Sequence, residues 1–358
     1  MPCDGRDSFF CSLFSPPGIA PLLEAGSRSR VVRSHPAPPP VSHLEAAASQ
    51  LIFDSYSPTT LLNYHRAWCQ FLKFLSDSKL PGAFPFSAAS VELYVAFLNL
   101  RSASIGSIKG ALSAIGWYHR AANLPDPTKS FGVKRMLVSL GRSAPAVRKA
   151  DPISFGVLEA CLDRLGELGL SCYDSKLLKA ILLILYYGCL RVGEVTLSTN
   201  PDNVLRLANT EFLTINGCRH FRFTLLKFKN SRGPIALTIQ PNPSARHCPV
   251  EAIGDFLRSR PRGGLCCFVK SNGEPVPRAF VADHLALLLT RAGFVEGHFG
   301  THSLRAGRAT DLALAGVPDA VIRATGRWAS DAFKGYLRFP SLPQPGALGV
   351  VGAGAGAP

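Results

Sequence analysis

The sequence predicts a mainly helical chain with one small antiparallel β-sheet: an all-helical unit followed by an α+β unit that carries the sheet. Three observations predict it. Apolar residues recur at helical spacing through most of 44–190 and again from about 250 to 333. One stretch, "EFLTINGCRHFRFTLLKFKNSRGPIALTIQ" (211–240), switches to strand-like runs broken by the turn signals "NG" and "NSRGP". A segment rich in proline and charge, "APAVRKADPIS" (144–154), lies between two helical blocks and reads as a linker, with its core at 146–154.

Taken in order, residues 1–43 are rich in Pro, Ser and Arg ("SRSRVVRSHPAPPP") and predict a disordered tail. The first unit then spans 44–145. In it "SPTTLLNYHRAWCQFLKFLSDS" places Leu61, Tyr64, Trp68, Phe71 and Leu72 on one helical face, with Ser57 or Thr59 as cap. "SAASVELYVAFLNL" follows, then "SIGSIKGALSAIGWYHRAANL", which holds Ile108, Leu112, Ile115 and His119 in register. A helix around "SFGVKRMLVSLGRSA" closes the unit. Its aromatic residues read as core, and its basic edge (Lys109, Arg120, Lys134, Arg135 and Arg142) reads as a surface for an anionic partner.

The second unit, 155–340, opens with helices at 155–169 and 174–188. "LLKAILLILYYGCL" (177–190) is too short for the ~20 residues of a spanning helix and contains Lys179, so it predicts a helix buried on all sides. The sheet follows, and after "HCPVEAIGDFLRSRP" helices resume through to Phe333. The last stretch, 341–358, is Gly/Ala/Pro-rich and predicts a flexible tail.

Composition narrows the partner. Lys and Arg number 39 against 24 Asp and Glu, giving a net charge of +15. Residues 44–150 carry 12 basic and 5 acidic side chains, and residues 151–340 carry 23 and 16. Both units are therefore basic, which suits a clamp on a polyanion better than a single basic tail would. The ten cysteines form no CxxC pair and mostly sit in apolar runs, which predicts reduced, buried thiols in an intracellular protein. Cys218, His220, His247 and Cys248 match no common zinc spacing, so no metal or other cofactor is expected. The start, "FFCSLFSPPGIAPLL", is preceded by Asp4 and Asp7 and broken by Pro16-Pro17, which argues against a secretion signal.

Four boxes converge on one chemistry. "GCLRVGEV" spaces Arg191 and Glu194 three apart at a helix start, and a charge following so apolar a run must emerge at a surface or a lined cleft. "LLKFKNSRG" offers Lys227 and Lys229 at a hairpin tip. "THSLRAGRAT", with Thr301 as the expected N-cap, puts His302 and Arg305 on one helical face. "GRWASDAFKGYLR" holds Trp328 and Tyr336, and no other tyrosine follows Tyr187. Phosphodiester exchange without a metal needs such a set. A tyrosine oxygen attacks phosphorus and holds the broken strand as an ester. Two guanidiniums bind the non-bridging oxygens, each such donor typically contributing ~10²–10³ in rate. A lysine protonates the departing 5′ oxygen and a histidine moves the remaining proton.

The order Arg191, lysine, His302-x-x-Arg305, Trp328, Tyr336 resembles the catalytic domain of the tyrosine recombinases (phage-integrase-like). "GRWASDAFKGYLR" is especially similar to the versions in eukaryotic mobile elements such as Cryptons and DIRS-like retroelements. The resemblance covers roughly 44–340, since the helical first unit matches that family's SAM-like core-binding domain. It implies that Arg191 and Arg305 clamp the scissile phosphate, His302 is acid/base, Tyr336 is the nucleophile and Glu194 supports the site. Trp328 stands where many members have histidine, and its indole N–H can donate. The "FKNS" turn favours Lys229 as the general acid over Lys227, which lies further down the strand. The resemblance further implies site-specific cleavage and rejoining of double-stranded DNA without ATP, by a homo-oligomer: a dimer on a site and a tetramer in synapsis. It implies neither a membrane nor a small-molecule substrate, and a nuclear location if the source is eukaryotic.

Two rival expectations stand beside it. "ATDLALAGVPDAVIRATGRWAS" can form a helix-turn-helix that binds DNA without chemistry, although its second helix would offer only Asp319 and Arg323 as readers. A domesticated, inactive recombinase would keep the fold and the grip; the presence of every expected catalytic residue argues against it. A type IB topoisomerase would use the same side chains.

Overall fold

The computed structural model describes residues 40–143, 150–198, 201–228, 231, 233–294 and 298–337. Residues 1–39 of the expected tail at 1–43, the expected tail at 341–358, most of the predicted linker's first half, and Lys229 lie outside the described residues. The chain separates into two compact units, Met1–Pro145 and Ala146–Pro358.

The first unit is helical throughout: α1 (Val41–Asp54), α2 (Pro58–Asp77), α3 (Ala88–Leu100), α4 (Ile105–Ala121) and α5 (Phe131–Ser143). Serine sets three of the starts. Ser57, Ser87 and Ser104 accept hydrogen bonds from the N–H groups of Thr60, Ser90 and Ser107, each satisfying one of the unpaired donors of a first turn. The helical pattern begins at Val41, three residues before the expected boundary, and α1 buries none of its own side chains. The core is aromatic. Trp68 stacks on Tyr118 at 4.1 Å, and Phe71 meets Phe86 edge-on at 5.1 Å. Arrangements of this kind add about 0.5–1.5 kcal/mol per pair to area burial.

His119 sits inside that core with no exposure. Its Nε2 accepts from the Phe86 N–H at 3.1 Å, so Nδ1 carries the proton and donates to the Ile115 carbonyl at 2.8 Å. This is a satisfied core histidine, not a ligand. Burial lowers its pKa despite the opposing pull of the Ile115 carbonyl and Asp126.

The second unit is built on α7 (Cys172–Tyr187), whose residues from Leu177 to Tyr186 are buried save Lys179. Around it pack α6 (Phe155–Asp163), α8 (Pro249–Ser259), α9 (Arg278–Arg291) and α10 (Thr301–Leu314), with α11 (Asp319–Gly326) against α10. The first of the two expected helices stops at Asp163, where a short 3₁₀ turn over Leu165–Leu168 replaces its last turn. The sheet has three antiparallel strands in the order β1 (Thr210–Ile215), β2 (Cys218–Leu225), β3 (Ile235–Ile239). Asn216 and Gly217 both take positive φ (51° and 75°), the two-residue turn that "NG" predicts, and Ile215 pairs with Cys218 across it. Phe221, Phe223 and Leu225 alternate inward onto the helices. Helices resume within "HCPVEAIGDFLRSRP" itself, as α8, and not directly after it. Residues 260–277 instead run irregularly, tied by single bridges Arg206↔Cys266 and Val269↔Pro275, because Pro261, Gly263, Gly264 and Gly273 interrupt any helical run.

Cysteine burial is less uniform than the apolar runs suggest. Of the eight described cysteines, Cys161, Cys189 and Cys267 are buried, whereas Cys69, Cys172 and Cys218 are exposed. No described helix is long and apolar enough to cross a membrane.

The neutral His119 makes a checkable contribution. Its folded pKa lies below the unfolded value near 6.5. The unfolded chain therefore binds the proton first, and the stability due to this group is full above about pH 6.5 and lost as the pH falls toward the folded pKa. Thermal melts between pH 7.5 and 5 should show the first unit weakening, with a shallower dependence in His119→Gln. An unchanged slope in that variant would assign the acid sensitivity to other groups.

Candidate active site

The site begins where α7 ends. Gly188 closes the helix and Cys189 takes positive φ (47°), which turns the chain so that Leu190 stays buried and Arg191 leaves the core. The helix expected to start at Arg191 is a single 3₁₀ turn over Val192–Glu194. Within it the Glu194 carboxylate accepts from the Arg191 N–H (2.9 Å) and from its Nη1 (3.2 Å). The i, i+3 spacing thus produces a folded-back pair whose carboxylate is buried and whose guanidinium is partly open.

Arg305 enters from α10. That helix is capped by Gly300, whose N–H donates to Ser303 Oγ at 3.0 Å; Thr301, the expected cap, is the first helical residue and is buried. His302 and Arg305 share a face by spacing, yet their fates differ. His302, on the first turn, is exposed, whereas Arg305, one turn deeper, has no exposure at all. Its Nη1 donates to the Cys189 carbonyl at 2.8 Å and its Nη2 to the Gly326 carbonyl. Its Cζ lies 4.3 Å from the centre of the Trp328 ring and 5.8 Å from that of Tyr336. Burial, and the nearby positive charges of Arg191 and Arg327, pull its pKa down to about 10, so it remains a cation at neutral pH.

Trp328 and Tyr336 form the outer wall. Their rings lie 5.3 Å apart, and Trp328 also meets Phe333 at 6.1 Å in a small cluster with Cys189, Ala309 and Ile322. Gly326 is required here, because a Cβ on it would overlap the Trp328 ring. Tyr336 caps a 3₁₀ turn over Asp331–Gly335, and ion pairs of Lys334 with Asp319 and Asp331 and of Arg323 with Asp331 bind that turn to α11. Asp319 and Arg323, the only readers a helix-turn-helix would offer, are thereby engaged within the protein.

Three buried donors around this cluster, Nε of Arg305, Nε1 of Trp328 and Nε of the neighbouring Arg327, have no hydrogen-bond partner in the protein. A buried donor left unmet costs about 1–3 kcal/mol, so such groups mark a place where an acceptor belongs. Lys227 is exposed and ion-paired to Asp202 at 3.0 Å, which Arg206 also holds at 2.7 Å. Lys109, Lys134, Arg135 and Arg142 are exposed on α4 and α5, and Arg120 is ion-paired to Asp126.

Sequence reasoning missed Arg327. Its side chain is 1% exposed and reaches Glu194 Oε2 (2.9 Å) and the carbonyls of Gly188 (3.1 Å) and Cys189 (3.2 Å). It stands in the quoted "GRW" string, but nothing in that string says which way the side chain turns. Asp311 was missed as well. It accepts from the Phe155 N–H at 2.7 Å and from the Tyr186 hydroxyl, fastening the start of α6 to α10.

No family model matches the chain. Its sequence is 24% identical over 308 residues to the recombinase Cre of Escherichia phage P1, covering 80% of this chain and 84% of Cre. Its fold is similar to that of the XerH site-specific recombinase bound to difH substrate in a pre-cleavage complex, with TM-score 0.55, 14% identity, and coverage of 78% of this chain and 76% of that one. A lambda integrase tetramer bound to a Holliday junction is similar at TM-score 0.53 and 14% identity, over 83% of this chain and 77% of that one.

The seating of α10 can be tested at Gly307. A Cβ there would fall inside the van der Waals shell of the Ile153 carbonyl oxygen, on the segment whose Ile153 N–H donates to the Ser303 carbonyl at 2.9 Å. Gly307→Ala should cost about 1–3 kcal/mol, since backbone rather than a flexible side chain must yield. Gly156→Ala, on open space in α6, should be neutral or stabilising by up to about 1 kcal/mol. Urea unfolding of the two variants checks this; equal midpoints would show that the close approach is not a constraint.

Proposed function

We infer that this chain belongs to the tyrosine recombinase family and breaks and rejoins DNA through a covalent 3′-phosphotyrosine ester. The observation that carries the inference is the buried Arg305, its guanidinium lying against the rings of both Trp328 and Tyr336, with an unmet donor on Arg305 and another on Trp328. A phosphodiester supplies the acceptor oxygens those donors lack, beside the one tyrosine that follows Tyr187. The likenesses to Cre, XerH and lambda integrase support the same reading.

In this proposal Tyr336 Oη attacks the phosphorus, the bond from phosphorus to the 5′ oxygen breaks, and the strand is held as a tyrosyl ester. Arg305, Arg191 and the Trp328 indole N–H donate to the non-bridging oxygens, whose charge grows in the transition state. His302 on the exposed first turn of α10 moves the tyrosine proton, and a lysine of the β2–β3 connection protonates the leaving oxygen. The exposed cations of α4 and α5 hold the backbone of double-stranded DNA. Assembly as a dimer on a site and a tetramer in synapsis follows from the reading. So does metal- and ATP-free chemistry, because the ester conserves the energy of the broken bond. The "GRWASDAFKGYLR" string is the ground for placing the chain with the Crypton and DIRS-like elements, which would make it nuclear.

Tyr336→Phe tests the nucleophile. Incubation with nicked duplexes of randomised sequence should give an SDS-resistant adduct with the natural chain and none with the variant; an adduct that persists in the variant sinks the assignment. On the duplex so recovered, Arg191→Ala should slow adduct formation by about 10²–10³ while DNA affinity changes little. Loss of binding in parallel would point to a purely structural arginine.

The choice of lysine is decided by the leaving group. Lys227 already holds Asp202, so Lys229 is the proposed acid. Lys229→Ala should be severely slowed on ordinary DNA and rescued on a 5′-bridging phosphorothiolate, since a thiolate leaves without a proton. Lys227→Ala should show a smaller defect without selective rescue. Rescue of Lys227→Ala instead would move the role to that residue.

A further inference from the structure

We propose that Arg327 is a positioning residue that leaves the charge of Arg191 available to the phosphate, by taking up the buried carboxylate of Glu194. The inference rests on the recombinase reading above and concerns how its arginine clamp is kept cationic.

Glu194 is 4% exposed and is shared by two guanidiniums. Were Arg191 its sole partner, the two would form a neutral pair, with the Arg191 N–H and Nη1 both committed to the carboxylate. An incoming phosphate would then meet no net charge from this pair. Arg327 changes the balance: its Nη2 takes Oε2 at 2.9 Å, and the set Arg191–Glu194–Arg327 carries one positive charge in excess. That excess has a direction. The Arg327 side chain is 1% exposed and its two Nη groups are taken by Glu194 and two carbonyls, while that of Arg191 is 23% exposed. The accessible cation is therefore Arg191.

Arg327 also joins the two arginines of the clamp. It donates to the Cys189 carbonyl at 3.2 Å, and Arg305 donates to the same oxygen at 2.8 Å. One carbonyl at the end of α7 thus sets the depth of both side chains. The backbone of Arg327 supports this role. It takes positive φ (58°) as the C-terminal cap of α11, a conformation that glycine adopts at less cost. That turn directs the side chain back to the 188–194 segment and leaves Trp328 free to cover Arg305.

Charge logic separates this role from mere packing. Arg327→Met leaves Glu194 to neutralise Arg191, whereas Glu194→Gln/Arg327→Met removes the carboxylate as well and frees Arg191 again. The probe is a 5′-bridging phosphorothiolate duplex recovered from a randomised pool by the natural full-length chain; its adduct cannot religate and needs no lysine acid. Arg327→Met should lower the rate of adduct formation by roughly 10–100-fold, the scale of losing an orienting partner, with DNA affinity little changed. Arg327→Lys should fall between it and the natural chain. The double variant should form adduct faster than Arg327→Met alone. A double variant as slow as the single one, or slower, overturns the proposal in favour of packing, as does a single variant with the natural rate. Should Arg327→Met unfold in a thermal melt, Arg327→Lys against Glu194→Gln/Arg327→Lys gives the same comparison. If the natural chain forms no adduct on any duplex, the recombinase reading itself fails, an outcome distinct from those of the variants.

Discussion

A guanidinium held wholly inside the protein, that of Arg305, sets the terms for everything around it. A buried cation is tolerated only when its donors find acceptors and its charge is offset. The acceptors are main-chain carbonyls at two separate breaks in helix, Cys189 after α7 and Gly326 at the end of α11. Each break needs an unusual backbone: Cys189 and Arg327 at positive φ, and a glycine at 326 where the Trp328 ring closes down. The aromatic wall of Trp328 and Tyr336 then offers the cation its ring faces in place of water.

The rest of the second unit keeps those two breaks in place. α7 is buried along most of its length, so the position of its C-terminal carbonyls is set by packing on nearly every side. α10 is seated by the Gly307 contact with Ile153 and by Asp311, which accepts from Phe155 and Tyr186 while the Arg308 guanidinium lies over the rings of Tyr186 and Tyr187. The sheet contributes Phe221 and Phe223 to the same core and leaves the β2–β3 connection at its end, where the lysines lie in sequence. A division of labour results. Arg305 and Arg327 are fixed by burial, Arg305 keeping its Nε unpartnered, whereas Arg191, His302 and Tyr336 are partly or wholly exposed.

Electrostatics show the same division. Among the described residues, the ion pair of lowest exposure joins Glu194 to Arg327. Pairs such as Lys73–Asp77 and Arg164–Glu167 are exposed and worth little. The basic side chains of α4 and α5 likewise stand in water, where they can attract a polyanion without cost to folding.

The helices, the small sheet and its Asn216-Gly217 turn were determined by the sequence alone, because periodicity, serine caps and turn residues act within a few positions of one another. The candidate boxes were legible there too, since Arg191, Glu194, His302, Arg305, Trp328 and Tyr336 stand out by type and order. The comparison with solved recombinases shows the fold that those boxes implied. What only the tertiary structure decided was depth and direction. Spacing put His302 and Arg305 on one face, but burial under Trp328 separated an exposed imidazole from a hidden guanidinium. Spacing paired Arg191 with Glu194, but the third partner, Arg327, lies 133 positions away in sequence from that carboxylate and reaches it only through the turn at the end of α11. Local pattern encodes elements because their forces are local; a shared buried carboxylate is a long-range bargain between charge and desolvation, and it exists only once the chain has closed around it.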